Sequence, residues 1–301
     1  MPYPLFFRER TDSMDSTAIM SRLQEHLESA LAAHPVDWFV ICVQGSQNYG
    51  LDDEHSDIDT KMLTIPSLRE LTLNSKSLNK VHIMENDEHC DIKDVREYFK
   101  IFRKSNINFV EILFTDYWIV NEKYADLWLD LRYHAEDLAR YNPYAAVSCM
   151  KGMASEKLHA LSHKYPSRMA WIEEYGYDPK QLSHLFRIKY FIENYIAGLP
   201  YGDCIYLKDS DKRERLLDLK RTGLNLTADC ARELAEDCFK DICKKADNFR
   251  QFNPNKPDEK LDAYLDNLLF DLVSRSLYEE LSEVEVCYKP EKEVKVEDYI
   301  G

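Results

Sequence analysis

Residues 43–63, VQGSQNYGLDDEHSDIDTKML, place a Gly-Ser pair and then an Asp-x-Asp between two apolar runs, and this stretch restricts the fold more than any other. The run before it, WFVICV from Trp38 to Val43, is β-branched, aromatic and too short for a helix, so it reads as a buried strand that ends in a turn at Gly45. The run after it, DIDTKMLTI, alternates. That pattern sends Asp57 and Asp59 out of one strand face and buries Ile58 between them. Adjacent carboxylates without a basic partner repel, and they become useful when a hard cation such as Mg²⁺ sits between their oxygens.

The Gly-Ser end of the turn suits an anion, because glycine lets backbone N–H groups approach a phosphate and the serine hydroxyl adds a donor. A two-metal site needs a third carboxylate, and Asp91 in EHCDIKD is the candidate, sharing a strand face with Lys93 while Cys90 and Ile92 take the other. Asp94 reads as the cap of the helix VREYFK, and Asp87 and Glu88 read as turn residues.

Apolar spacing predicts a helix over 15–33, capped by Asp15 or Ser16, and a hairpin from LNKVHIME and EHCDIKD. Another helix follows, carrying Val95, Tyr98, Phe99 and Phe102. Beyond residue 121 the pattern is helical, with helices expected over 144–164, 179–197, 212–221, 227–249 and 259–281 and a break at AGLPYG. The predicted class is α+β: a sheet-bearing half over 1–120, an all-helical half over 121–287, each with its own core, and a charged tail over 288–301.

Lys180, His184 and Arg187 fall at i, i+4 and i+7, on one helical face that spacing alone leaves as a solvated polar stripe. DKRERLLDLKR, 211–221, holds five basic residues and reads equally as an RNA guide or a solvent-facing helix. A net charge of −15 excludes a protein that coats nucleic acid nonspecifically. Eight scattered cysteines with no C-x-x-C pair point to reduced thiols. No apolar run approaches the ~20 residues of a bilayer span and the N-terminus lacks a signal-peptide pattern, so a soluble, cytoplasmic protein with no membrane partner is expected.

The segment GSQNYGLDDEHSDIDTKML resembles the Gly-Ser to Asp-x-Asp motif of the DNA polymerase β nucleotidyltransferase superfamily. CDIKDVREYFKIFRKSNINFVEIL resembles one branch of it, the nucleotidyltransferases associated with RNA repair and RNA ligases, in which Tyr-Gly-Leu follows Gly-Ser. In that branch an aspartate strand, a helix and an Asn-x-Asn segment lead to a Glu, the positions held here by Asp91, Asn106, Asn108 and Glu111. YDPKQLSHLFRIKYFIENYIAG is similar to the family's Lys, His and Arg helix, and LLDLKRTGLNLTAD to its Leu, Lys and Gly segment.

The resemblance implies a nucleotidyltransferase palm followed by a helical domain, with a cleft between them, transferring NMP from an NTP to a hydroxyl and releasing pyrophosphate. It assigns Asp57, Asp59 and Asp91 to catalysis and to two Mg²⁺ or Mn²⁺ ions. Gly45, Ser46, Gln47, Tyr49, Lys180, His184 and Arg187 then bind the nucleotide, and Asn106, Asn108 and Glu111 support the loop behind Asp91. Gln47 departs from the basic residue that often follows Gly-Ser. The acceptor implied is an RNA end, met through Lys212–Arg221. The rival readings are a protein-hydroxyl nucleotidylyltransferase of the antitoxin-like, AMPylating kind and a non-catalytic NTP sensor, the latter disfavoured by three intact carboxylates.

Overall fold

The computed structural model describes residues 14–53, 56–164 and 169–283. Its first helix, Ser16–Ala33, is capped by the Asp15 carboxylate, which accepts from the Thr17 N–H. Five strands follow: β1 (Trp38–Gln44), β2 (Asp59–Thr64), β3 (Asn79–Ile83), β4 (His89–Asp94) and β5 (Trp118–Val120). They form one mixed sheet in the order β3-β4-β2-β1-β5, antiparallel throughout except for the parallel β2–β4 pair.

Alternation fixes the two faces. Ile41 and Val43 of β1, Met62 of β2 and Cys90 and Ile92 of β4 join Ile58 against Ile19, Leu23, Leu27 and Ala30 of the first helix. Val40, Cys42 and Leu63 face the other way, into the helices of the second half. Asp59 and Lys61 share the parity of Leu63 and so leave the sheet on that second side.

The expected α+β architecture is the one found, and its long helices lie close to the predicted spans: Val95–Phe102, Pro143–Ala160, Pro179–Ile196, Ser210–Thr222, Ala228–Phe252 and Glu259–Glu283. Asn142, Asp178, Asp209 and Thr227 supply side-chain caps to four of them. Four shorter helices, Ala125–Tyr133, Ala135–Ala139, Met169–Tyr175 and Tyr201–Ile205, and the strand β5 were not anticipated.

The buried residues fall into two sets, one on each face of the sheet, and the larger of them crosses the expected boundary near residue 121. One continuous set of buried residues runs from Phe39, Val40 and Leu63 through Trp128 to Leu185, Ile242 and Leu272. The last described helix returns to the first half, burying Leu265, Leu268 and Leu272. Its Asp262 and Asp266 hold Arg103 at 2.7 and 2.5 Å, and its Ser276 hydroxyl donates to Asp37 at 2.6 Å. The charged tail over 288–301 lies outside the described residues. The seven described cysteines are all free, and no described helix is long and apolar enough to cross a membrane.

Candidate active site

A cleft of about 580 Å³ opens between the sheet's second face and the helices Pro143–Ala160, Pro179–Ile196 and Ser210–Thr222. β1 ends at its floor. Gly45 turns the chain with φ 93°, a conformation that favours glycine, and the short helix Ser46–Tyr49 closes on Gly50 at φ 70°. Two side chains then hold the turn from inside: Asn48 donates to the Val43 carbonyl at 3.0 Å, and Gln47 donates to the Asp57 carbonyl at 2.9 Å. Gln47, expected at the nucleotide, makes this inward bond and is not among the cleft's lining residues.

Glu111 sits beneath the same turn. It is 3 % exposed, and one oxygen accepts from the Gly45 N–H at 3.1 Å while the other accepts from the Tyr49 hydroxyl. Burial pushes its carboxyl above the usual range, against the Tyr49 hydroxyl and the Arg187 and Lys61 cations, which pull it down. Glu111 therefore supports the Gly-Ser turn, a correction to its expected place behind Asp91. The Gly45 N–H is taken by that bond, and the Ser46 hydroxyl, which lines the cleft, donates to the Gln47 side-chain oxygen at 3.4 Å. Asn106 caps the short helix Ile107–Val110, and Asn108 lines the cleft.

Asp57 and Asp59 both reach the cleft, and Ile58 between them is fully buried, as alternation requires. Among the described residues no hydrogen bond or ion pair engages the Asp57 side chain. Asp59 accepts from the His89 N–H at 3.2 Å, with the His89 ring nitrogen at 3.4 Å. Asp91 does not line the cleft. In the parallel β2–β4 ladder it lies opposite Lys61, whose ammonium is 3.2 Å away, and Lys93 lies at 3.8 Å. Alternation alone puts Lys61, two residues beyond Asp59, on the same face; its pairing with Asp91 comes from the parallel register.

Three acidic, histidine or cysteine groups converge nowhere among the described residues. The donor set of Asp57 and Asp59, paired, open to the cleft and anionic, fits one hard divalent cation that completes its shell with substrate oxygens. The set expected for two ions is not assembled, because Lys61 and Lys93 neutralise Asp91.

The opposite wall is cationic. Lys157, Lys180, Arg187, Lys220 and Arg221 line it from the helices, and Lys61 joins them from beside Asp59 on β2, in a chain of net charge −15. Arg187, 8 % exposed, lies 3.8 Å above the Tyr49 ring, and its Nε has no hydrogen-bond partner. Burial and the neighbouring Arg187, Lys180, Lys157 and Lys220 hold the His184 imidazole well below its usual pKa. That favours the neutral ring, a hydrogen-bonding group on a face whose other members, Lys180 and Arg187, are cations.

The basic segment over 212–221 is divided by the fold. Arg213 donates to the Leu207 carbonyl at 3.0 Å and Lys212 lies over the Tyr190 ring, whereas Lys220 and Arg221 face the cleft. Lys220 donates to the Leu51 carbonyl at 3.3 Å, and Arg221 lies 3.5 Å from Asp53.

Sequence reasoning missed Glu88. It is 4 % exposed and accepts from the Ile58 N–H at 2.8 Å, from Arg22 at 2.5 Å and from the buried His26 ring at 3.0 Å. It thereby pins the backbone between the two cleft aspartates.

No curated protein matches the chain. Among solved structures it aligns with a nucleotidyltransferase-like protein from Exiguobacterium sibiricum at 13% identity and a TM-score of 0.28, over 76% of this chain and 75% of that one. Residues 19–189, more than half of the chain, match the model of the RNA repair pathway DNA polymerase beta family, which spans the Gly-Ser turn, the aspartate pair and the Lys180–Arg187 face: the chain belongs to that family and is a nucleotidyltransferase.

Proposed function

We propose that the cleft takes an NTP with a divalent cation, Mg²⁺ or Mn²⁺, and transfers its NMP to a hydroxyl at an RNA end, releasing pyrophosphate. The observation that carries this reading is the opposition of two open carboxylates, Asp57 and Asp59, to a wall of lysines and arginines in a strongly acidic chain. A divalent ion held by Asp57 and Asp59 would neutralise charge on the phosphates and polarise the phosphoryl group for attack.

The chain's own residues do the positioning. Ser46, Lys180, Arg187 and Lys220, all lining the cleft, grip the anionic phosphates. Neutral His184 contributes a hydrogen bond to the substrate without adding charge. Asp91 acts through Lys61, fixing that ammonium at the cleft wall. The RNA acceptor is favoured over a protein hydroxyl by the family to which the chain belongs.

Labelled NTP, with Mg²⁺ or Mn²⁺ and separate RNA and protein acceptors, tests the assignment. Label should appear on RNA and vanish when its 3′ end is blocked. Asp57→Asn and Asp59→Asn should each reduce transfer to background while Tm moves by no more than about 2 °C, as for open polar sites. Near wild-type turnover in both variants would remove the aspartate pair from the mechanism, and label on a protein instead would reassign the acceptor.

A further inference from the structure

Of the four tryptophans in the chain, only Trp171 lines the cleft. It is half-buried on the helix Met169–Tyr175, with its indole stacked on the Tyr175 ring at 5.7 Å between centroids and 19° between planes. The stack is braced from behind. Gly223, at φ 59°, ends the helix that carries Lys220, and a Cβ there would meet the Tyr175 ring at 3.2 Å. The Tyr177 hydroxyl donates to the Gly223 carbonyl at 2.8 Å, tying the same turn to the chain that leads into the helix Pro179–Ile196.

That helix sets the order of groups along the cleft. Arg187 stands over Tyr49 at the Gly45–Ser46 turn, and Lys180 lies seven residues earlier, about 10 Å along the axis. The segment bearing Trp171 enters at the Lys180 end. Met153, another apolar lining residue, comes from the neighbouring helix Pro143–Ala160. The cations thus run from Arg187 at the turn to Lys180, and the aromatic surface stands at the Lys180 end, the order of phosphate and base in a nucleotide. An indole held in place by a second ring loses little entropy when a flat ligand stacks on it.

We infer that Trp171 is the nucleobase platform of the cleft, on which the base of the NTP stacks with Met153 beside it. The inference rests on the NTP reading of the site, and inorganic tripolyphosphate separates the two, since it carries the phosphates without a base. The full chain is titrated, with Mg²⁺, against each of the four NTPs and against tripolyphosphate, by calorimetry and by tryptophan fluorescence. Trp171→Ala should weaken NTP binding by about 5- to 150-fold, the equivalent of ~1–3 kcal/mol of base stacking, and leave tripolyphosphate binding unchanged. Trp171→Phe should retain most of the affinity and lose the NTP-dependent quench, and Arg187→Ala should weaken both ligands.

Equal loss of both ligands in Trp171→Ala, or unchanged NTP affinity in a variant with wild-type circular dichroism, overturns the platform. A rise confined to the KM for RNA overturns it as well, by giving the indole to the acceptor. Failure of the wild-type chain to bind either ligand overturns the NTP reading and this inference with it.

Discussion

Glu88 accepts from three donors on two parts of the chain: Arg22 and His26, one turn apart on the first helix, and the Ile58 N–H between Asp57 and Asp59. The carboxylate therefore sets the spacing of the cleft pair without touching the cleft. Glu88→Ala leaves a buried N–H, an imidazole and a guanidinium without their acceptor, which should cost about 3 kcal/mol in urea denaturation. Transfer activity should fall beyond what the unfolded fraction explains. Unchanged stability in Glu88→Ala would mean that water replaces the carboxylate and that the network is dispensable. The aspartates were legible because alternation is local, and Ile58 had to be buried for them to emerge. Glu88 was not, because ENDEH reads as a turn and its partners Arg22 and His26 lie more than sixty residues upstream.

At the scale of elements, the helix Ser210–Thr222 shows how one basic run serves two ends. Its first turns are taken up by Leu207 and Tyr190, and its last turn projects Lys220 and Arg221 into the cleft. Burial, with Lys180 and Arg221 nearby, holds the Lys220 ammonium below its usual pKa, against the pull of Asp53. An anionic ligand relieves that cost. Lys220→Ala should raise the NTP Kd by about 10- to 100-fold, the range of a charge-assisted hydrogen bond, whereas Arg213→Ala and Arg215→Ala should leave it within twofold. Isothermal titration measures this, and equal losses in all three variants would return the whole helix to one binding track. Long helices were legible from their 3.6 period and their caps. β5 was not, because three residues, each half-buried, carry no alternation to detect. The contact of Asp91 with Lys61 depends on the parallel register of β2 and β4, which no local pattern encodes.

At the scale of the molecule, the larger set of buried residues joins the sheet's second face to the helices of the second half, so the two halves are expected to unfold together. Calorimetry should show a single unfolding transition with equal calorimetric and van't Hoff enthalpies, and two resolved transitions would restore the separate cores that the sequence suggested. The same connectivity governs how the chain is made. Asp37, at the entrance to β1, accepts from the Tyr124 hydroxyl at 2.5 Å and from Ser276, which lies 239 residues further on. A chain leaving the ribosome N-terminus first, at about 5–20 residues per second, presents its sheet many seconds before the helix Glu259–Glu283 exists to cover it. Until then the apolar surface that Leu265, Leu268 and Leu272 will cover is open to water, the kind of patch through which incomplete chains aggregate.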